Sequence, residues 1–314
     1  MRAVGVMQFG GPDALEVVEL AEPEIRPDEV LIRVHAAAVN PTDTYTRNGA
    51  RADALRAAGP PPYVPGMDAA GVVEAIGDDA GTHLQVGDHA MAIVVPAGSR
   101  GAYSERIAVP GDSAVRLPAG ATDAQAATLP MNALTARLAL DLLGLRAGAT
   151  LAVTGAAGAF GGYVVQLAKA EGVRVIADAS PADEALVRSL GADVIVPRGT
   201  DMVREIRRSV PEGVDALADG AVLDDAALDA VRDFGQVATV RGFQPPDAPR
   251  GIVFRPVWVR EYSRMRDKLD QLRTQVERGE ITLRVAQVVP MERASDAHRM
   301  LEAGGVRGRI ILSF

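Results

Sequence analysis

A glycine-rich turn between an apolar run and a helix-like segment constrains the fold of this chain most. Residues 151–161 read LAVTGAAGAFG, with glycines at Gly155, Gly158 and Gly161, and a helix-like segment and a second β-rich run follow within residues 162–177. Glycines at this spacing permit a tight turn, a close backbone approach to a pyrophosphate, and close packing of a helix on its strand. The motif therefore predicts a βαβ unit whose helix N-terminus binds the phosphates of a dinucleotide.

Composition excludes several other classes of protein. A length of 314 residues suggests about two domains. The formal net charge of −8 argues against a nucleic-acid surface. No apolar run approaches the roughly 18 residues that a membrane-spanning helix needs. The chain contains no cysteine, which excludes disulfides, thiolate catalysis and cysteine-ligated metal and fits a cytoplasmic location.

The pattern of apolar residues and turns divides the chain into two regions. Up to about residue 119 it predicts a compact, mostly β domain, with strands at residues 30–40, 69–77 and 86–95. From an N-cap at Thr122 or Asp123 a helical period begins, and strands then alternate with helices, which is typical of a parallel sheet. The strands predicted for that sheet are residues 149–154, 173–177, 193–196, 214–218 and 236–240, and the helices are residues 181–190 and 224–232. A long charged helix at residues 263–278 and a closing strand at the C-terminal GRIILSF complete the pattern.

Eight segments in one order resemble the medium-chain dehydrogenase/reductase superfamily, and within it the zinc-free quinone oxidoreductases related to zeta-crystallin. They are AAAVNPTDTYTRNG, PGMDAAGVVEAIG, VGDHA, GAYSE, LPMNALTA, TGAAGAFG, SLGADVIV and the terminal GRIIL. The resemblance implies an α/β fold, with a GroES-like β domain at residues 1–119 and 262–314. It also implies that a Rossmann doubly wound parallel-sheet domain at residues 120–261 is inserted into this β domain.

The resemblance also implies that catalysis proceeds without metal. Where zinc-dependent relatives carry Cys and His ligands, this chain has the segment 40–43 without cysteine, followed by Met67 and Asp68. A thioether without thiolates does not make a tetrahedral zinc site. The four histidines (His35, His83, His89 and His298) are scattered through the sequence without ligand spacing. The expected acceptor is then one that is already activated, a quinone or an alkene conjugated to a carbonyl.

The segment NPTDTYTR supplies the candidate catalytic residues. By the resemblance, Asn40 and Asp43 match positions beside the nicotinamide ribose, and Tyr45 matches the aromatic residue that faces the quinone. A phenol can donate a hydrogen bond to the oxygen that gains charge, and Arg47 carries a permanent charge nearby. We therefore predict Tyr45, Asn40 and Arg47 as catalytic residues. The alternative interpretation is a turn at Asn40, a packing role for Tyr45 and a surface charge at Arg47.

One departure from the family bears on the substrate. Enoyl-thioester reductases keep a tyrosine two residues after the glycine of this motif, whereas here Gly49 is followed by Ala50 and Arg51. An extra stretch at residues 51–59 has helix-forming composition and could form a lid or pocket wall. Tyr63 could stand in for the missing tyrosine, although no spacing supports this.

The residues near the predicted ribose site favour different nucleotides. Asp178 follows the second β-rich run, where a carboxylate favours the ribose 2′-hydroxyl of NADH. Ser180, however, matches a serine that relatives direct at the 2′-phosphate, and Arg198 lies where they place a tyrosine beside that phosphate. A guanidinium there can bind a phosphate, and we predict NADPH, with NADH as the alternative. The predicted cofactor-binding residues are Asn40, Asp43, Thr135, Gly155, Gly158, Ala159, Phe160, Gly161, Asp178, Ser180, Arg198 and Arg241.

The sequence thus predicts a reductase of quinones or activated enones that uses NADPH without metal. Two alternatives remain open: an enoyl reductase acting on a thioester or polyketide-type intermediate, and a non-catalytic NADPH-binding protein. A homodimer is also predicted, because residues 251–260 form the last strand of the Rossmann sheet and an unpaired edge there is a liability. Ile252, Phe254 and Trp258 lie along this edge, and the expected partner besides the copy of the chain is a small-molecule substrate.

Overall fold

The computed structural model describes residues 1–314, which form fifteen β-strands and nine α-helices. The strands are β1 (Arg2–Val6), β2 (Leu15–Glu19), β3 (Glu29–Ala38), β4 (Asp68–Ile76), β5 (His89–Ile93), β6 (Arg106–Pro110), β7 (Ala114–Arg116), β8 (Thr150–Thr154), β9 (Arg174–Ala179), β10 (Val194–Pro197), β11 (Val214–Asp219), β12 (Val231–Thr239), β13 (Val253–Pro256), β14 (Val285–Pro290) and β15 (Arg309–Ser313). The helices are α1 (Pro41–Asn48), α2 (Ala52–Ala58), α3 (Asp123–Ala126), α4 (Pro130–Leu143), α5 (Ala159–Ala170), α6 (Glu184–Ser189), α7 (Met202–Ser209), α8 (Arg266–Glu277) and α9 (Ala294–Ala303).

Contacts between backbone positions group the chain into two compact units. The first unit comprises Met1–Met131, Arg260–Glu277 and Leu283–Phe314, and the second unit comprises Asn132–Val259 and Arg278–Thr282. The predicted division into functional domains, at residues 119/120 and 261/262, stays a prediction.

The second unit is built on a six-stranded parallel sheet in the order β10-β9-β8-β11-β12-β13. Its central strand β8 is buried from Leu151 to Thr154, as expected for a parallel strand covered on both faces. The order of the strands reverses direction between β8 and β11. Dinucleotides bind at such a switch point, outside the carboxyl ends of the strands. The predicted α/β fold with a doubly wound parallel sheet is confirmed.

The first unit contains a seven-stranded sheet in the order β14-β15-β3-β4-β5-β7, with β6 paired to β3, and a two-stranded sheet of β1 and β2. All the pairs of the larger sheet are antiparallel except β14 with β15. Its long strand β3 buries Val30, Ile32 and Val34 on one face, so that an alternating pattern positions the core. Helix α1 follows this strand directly and carries the candidate catalytic segment.

Several predicted elements have different limits in the structure. The helix predicted at residues 224–232 is a 3-10 turn at Asp224–Ala230, because Asp224 has a left-handed φ of 51° and Val231 already begins β12. The strand predicted at residues 251–260 is only β13, since a left-handed Gly251 precedes it and Pro256, which has no N–H, ends it. The helix predicted at residues 263–278 begins at Arg266.

Helix length also bears on membranes. The longest helix, α4, has 14 residues, and none of the helices is both long and apolar enough to cross a bilayer.

Candidate functional site

The glycine turn adopts the geometry that its sequence predicts. Strand β8 ends at Thr154, Gly155 has a left-handed φ of 65°, and α5 begins after Gly158 as its N-cap. A Cβ added at Gly161 would lie 2.4 Å from the carbonyl oxygen of Gly155 and 2.9 Å from the Cα of Ala156. Since both neighbours are backbone atoms, only glycine fits there. The first turn of α5 thus keeps free N–H groups at the end of β8, where a phosphate can be bound.

The carboxylate of Asp178 contacts this turn and accepts hydrogen bonds from two protein donors. Its side chain is buried, Oδ1 accepts a hydrogen bond from the N–H of Ala156 at 3.0 Å, and Oδ2 accepts one from Nε of Arg198 at 3.2 Å. The guanidinium of Arg198 balances the carboxylate charge while its side chain stays 43% exposed. Ser180 donates its hydroxyl to Oδ2 of Asp183 at 2.6 Å. The negative charge of Asp178 is therefore compensated within the protein.

A second hydrogen-bonded turn follows β11, and sequence reasoning missed it. Thr154 donates its hydroxyl to Oδ1 of Asp219 at 2.6 Å, and Oδ2 of Asp219 accepts the N–H groups of Leu223 and Asp224 at 2.8 and 2.9 Å. These bonds hold the loop in which Val222 and Asp224 have left-handed φ angles. An aspartate at the end of a strand was the available signal, because such a side chain often accepts from the following turn.

The remaining predicted cofactor residues lie on elements of the second unit. Thr135 is buried in α4, and Ala159 and Phe160 form the first turn of α5. Arg241 is exposed just after β12, where its charge opposes the rise that burial and neighbouring carboxylates cause in the pKa of Asp224. Binding of a cofactor by these residues stays a prediction.

In the first unit, Asn40 is the N-cap of α1 and is fully buried. Its N–H donates to Oδ2 of Asp43 at 2.7 Å, which is half of a capping box. Its side-chain Nδ2 donates to Oδ2 of Asp68 at 2.6 Å, and Oδ1 of Asp68 accepts the N–H of Met131, also at 2.6 Å. Asn40 is thus held at both its backbone and its amide.

Asp43 and Asp68 are carboxyl groups without access to solvent. Burial raises the pKa of Asp43 to about 7, against hydrogen bonds from Asn40, Tyr103 and Gly66 that favour the ionised form. Burial raises the pKa of Asp68 to about 6, against the hydrogen bonds from Met131 and Asn40 and the positive charge of Arg309. Both groups therefore titrate much closer to neutral pH than an exposed aspartate.

A chain of hydrogen bonds with a defined direction leads to Asp43. Arg47 can only donate, so Nδ1 of His298, 3.2 Å from its NH1, accepts and the ring proton lies on Nε2. That Nε2 is 3.2 Å from the Tyr103 hydroxyl, which donates to Oδ2 of Asp43 at 3.0 Å. Burial and the charge of Arg47 lower the pKa of His298 to about 3, so the ring stays neutral. We call Asn40, Asp43, Arg47, Asp68, Tyr103 and His298 the buried polar network.

Arg47 lies inside this network, so the alternative interpretation of a surface charge is wrong. Its side chain is 4% exposed, pairs with Glu302, and donates from Nε to the carbonyl of Gly10 at 3.2 Å. All three nitrogens of the guanidinium therefore have protein partners, and the residue is neither a surface charge nor a free cation. The predicted catalytic role of Arg47 stays a prediction.

Tyr45 is half-buried on α1, between the network residues Asp43 and Arg47. The extra stretch forms helix α2, in agreement with its composition. Tyr63 is 5% exposed and stacks on Phe9 with ring centroids 5.2 Å apart, so its contacts are those of a packing residue.

The residues at the family's zinc positions do not form a ligand set. Asn40 is bonded to Asp68, and the sulfur of Met67 accepts a hydrogen bond from the Thr42 hydroxyl at 3.3 Å. The group of three potential ligands that the structure does bring together, His35, His89 and Asp123, lies elsewhere in the sequence and was missed there. A zinc-assisted reaction at Asn40 does not fit these residues.

The second unit has a parallel sheet with a glycine turn at its switch point, and the first unit has a mostly antiparallel sheet. These two units define the class of nucleotide-dependent dehydrogenases and reductases. Residues 26–119 match the alcohol dehydrogenase GroES-like domain family, and residues 190–312 match the zinc-binding dehydrogenase family. The chain belongs to the medium-chain dehydrogenase/reductase superfamily and, within it, to the quinone oxidoreductase family.

Named relatives are similar over almost the whole chain. An NADPH-dependent alkenal/one oxidoreductase of Arabidopsis thaliana is 32% identical, over 99% of this chain and 79% of the relative. A quinone oxidoreductase of Sus scrofa is 30% identical, over 99% of this chain and 97% of the relative. A mycobacterial protein solved in complex with NADPH superposes with a TM-score of 0.86 at 28% identity, with each chain fully covered. The predicted family is confirmed.

Proposed function

We propose that this chain reduces quinones or activated enones with NADPH and without a metal. The observation that carries the proposal is the start of α5 directly after Gly158, at the switch point of the sheet, because the leading N–H groups of a helix have no intrahelical acceptor and can bind a phosphate. The printed names of the relatives, quinone oxidoreductase and NADPH-dependent alkenal/one oxidoreductase, support the acceptor class. The absence of a ligand set at Asn40 and Met67 supports a reaction without zinc.

The choice of NADPH over NADH rests on Asp178 and Arg198. The Asp178 carboxylate already accepts hydrogen bonds from Ala156 and Arg198. It therefore has donors without a ribose hydroxyl, and its charge, which Arg198 balances, does not repel a phosphate. The exposed part of Arg198 remains able to donate to a 2′-phosphate. The mycobacterial relative solved with NADPH agrees with this choice.

NADPH, when bound, supplies a hydride to an electrophilic carbon of the acceptor. This chain must then stabilise the charge that develops on the acceptor oxygen, and the Tyr45 phenol is the proposed hydrogen-bond donor. The buried polar network holds the first turn of α1, so that Tyr45 is presented from a rigid helix. In this proposal Arg47, which the sequence predicts as catalytic, acts by holding His298 in that network.

An acceptor screen tests the proposal. NADPH oxidation is followed by absorbance with 1,4-benzoquinone, an alkenal and crotonyl-CoA, each also with NADH. We expect turnover with the quinone or the alkenal, and a kcat/KM ratio of NADPH over NADH above one. Turnover with crotonyl-CoA alone identifies an enoyl reductase instead. Tight NADPH binding without turnover of any acceptor identifies a non-catalytic nucleotide-binding protein.

We further propose a homodimer through the edge of the parallel sheet. Strand β13 is the edge, and Val253, Trp258 and Phe234 beside it are 40%, 54% and 76% exposed. Ile252 and Phe254, which the sequence also placed along this edge, are buried in the core of the second unit. Pairing two such edges around a twofold axis would cover the exposed side chains and satisfy both strands. Sedimentation that gives a monomer at micromolar concentration would refute the dimer. The cytoplasmic location of the protein also stays a prediction.

A further inference from the structure

Two histidines and an aspartate from distant parts of the first unit meet at its surface. Nδ1 of His35 on β3 lies 2.8 Å from Oδ2 of Asp123, and Nδ1 of His89 on β5 lies 2.8 Å from Oδ1 of the same carboxylate. The two imidazole rings are 5.9 Å apart between centroids. The three potential ligand atoms all lie within 4.8 Å of one another. We call these three residues the His–Asp–His cluster.

We propose that the His–Asp–His cluster binds one zinc ion, on residues that are not among those proposed for hydride transfer. Two imidazole nitrogens and one carboxylate oxygen are a usual protein ligand set for Zn²⁺, with water in the fourth position. Ligand atoms of a tetrahedral zinc site lie about 3.3 Å apart, so small side-chain rotations convert the observed separations into ligand geometry. Each ligand is carried by a different strand or helix, and the first unit holds the three elements together without the metal.

Solvent reaches the cluster from an open cavity of about 640 Å³ that His89 and Asp123 help to line. An ion therefore has an entry path, and the vacant coordination position can be filled by water. The other carboxylate that lines this cavity, Asp88, is already paired with Arg116 at 2.9 Å. The carboxylate of Asp123 is thus the acidic ligand that the cavity offers.

The proton on His35 sets a specific requirement. NH1 of Arg33 lies 2.9 Å from Nε2 of His35, and because a guanidinium only donates, the ring carries its proton on Nδ1 and directs it to Asp123. Zinc at Nδ1 displaces this proton, and the neutral ring then carries one on Nε2, facing a donor. Arg33 must turn away, while it keeps the bond from its Nε to Glu74 at 3.0 Å. Arg33 therefore opposes zinc binding, and an acceptor in its place should favour it.

The test is calorimetric titration of the full, metal-stripped chain with ZnCl₂. We expect one zinc ion per chain, and binding at least about tenfold weaker in His89→Gln and in Asp123→Asn. Arg33→Gln replaces the donor by a side chain that can accept from Nε2, and we expect it to bind zinc more tightly than the wild type. His83→Gln, which changes an exposed histidine outside the cluster, is the matched control and should bind as the wild type does.

Thermal unfolding provides a second measurement that does not depend on catalysis. Zinc should raise the melting temperature of the wild type and of His83→Gln but not that of His89→Gln, because only a folded cluster binds the ion. His89 is exposed, so its replacement should leave the metal-free melting temperature unchanged. The proposal would be overturned if His89→Gln bound zinc as tightly as the wild type. It would also be overturned if neither the wild type nor Arg33→Gln bound zinc.

Discussion

The glycine turn of the second unit and the buried polar network of the first unit position their groups in different ways. The turn is a single continuous segment, and its geometry depends on backbone atoms: a left-handed Gly155 and a carbonyl 2.4 Å from where a Cβ of Gly161 would lie. The network joins side chains from α1, β4, α9 and the loop before β6, and its geometry depends on their hydrogen bonds. Substitutions should therefore act locally in the turn but be transmitted through partners in the network.

The largest expected effect comes from Tyr45→Phe. Loss of the phenolic donor should lower kcat by about 10- to 1,000-fold, the upper end being that of a dedicated oxyanion donor, while the affinity for NADPH changes little. Steady-state kinetics and a separate NADPH titration measure the two quantities. Thr44→Ala, a change on the same helix outside the network, is the control and should keep most of the turnover. Full turnover of Tyr45→Phe with every acceptor would mean that Tyr45 only packs.

In the glycine turn, Gly161→Val should weaken NADPH binding by about 100-fold, since overpacking that displaces backbone costs about 1–3 kcal/mol. Gly158→Ala should have a smaller effect, because the nearest atom to its added Cβ is 3.1 Å away. Gly11→Ala is the control, since its Cβ would meet nothing within 4 Å. Fluorescence titration with NADPH measures all three, and equal affinities for Gly161→Val and Gly11→Ala would contradict the assigned role of the turn.

Arg198→Ala tests the nucleotide preference of the second unit. Removing a charge-assisted donor to the 2′-phosphate should lower kcat/KM for NADPH by about tenfold and leave NADH nearly unchanged. It also leaves the Asp178 carboxylate without its balancing charge, which disfavours the phosphate further. Arg208→Ala, at an exposed arginine paired with Glu205, should keep the wild-type ratio. A wild-type ratio below one contradicts the choice of NADPH, whereas an unchanged ratio in Arg198→Ala removes only this residue from the site.

The buried polar network should be visible in the pH dependence of stability. The pKa of His298 is about 3 when folded and near 6.5 when unfolded, so between these values the unfolded chain binds the extra proton. This difference in the pKa of His298 makes the folded state less stable as the pH falls from 6.5 towards 3. Asp43 and Asp68 act in the opposite direction: their pKa values are raised in the folded state, so the folded state loses stability as the pH rises from about 4 to 6 or 7.

His298→Gln isolates the histidine, because an amide can accept from Arg47 and donate to Tyr103 in its place. Between pH 7 and pH 5, the variant should lose about 2 kcal/mol less unfolding free energy than the wild type. Urea unfolding at the two pH values measures this difference, and His83→Gln should follow the wild type. Parallel pH dependence of His298→Gln and the wild type would show that the buried ring is protonated.

The smallest expected effect is that of chelation on turnover. Because Asn40 and Met67 are engaged with Asp68 and Thr42 rather than arranged as ligands, EDTA should leave NADPH oxidation unchanged. Zinc at the His–Asp–His cluster would instead appear in the melting temperature. Loss of turnover with EDTA that added zinc restores would contradict the metal-free mechanism.

Sequence patterns predicted the parallel sheet, the turn and helix α2, and the structure confirms each of them. They placed the limits of β13 and of the turn at Asp224–Ala230 wrongly, because left-handed residues and a proline ended the regular pattern there. For Asn40 and Asp43 the pattern indicated the segment, while their partners Asp68 and Tyr103 were not predicted. The roles of these side chains towards substrate and cofactor stay predictions.

The sequence predicted the glycine turn but not the partners in the buried polar network, and this difference has a physical reason. Gly155 allows a left-handed φ and Gly161 allows a close approach of backbone, and both lie within seven consecutive residues. The sequence by itself therefore determined the turn. The meeting of Arg47 with His298, and of His35 with His89 and Asp123, depends on the register of strands and on helices far apart along the chain. No local pattern encodes such distances, and only the tertiary structure decided that Arg47 is buried against His298 and that two scattered histidines share one carboxylate.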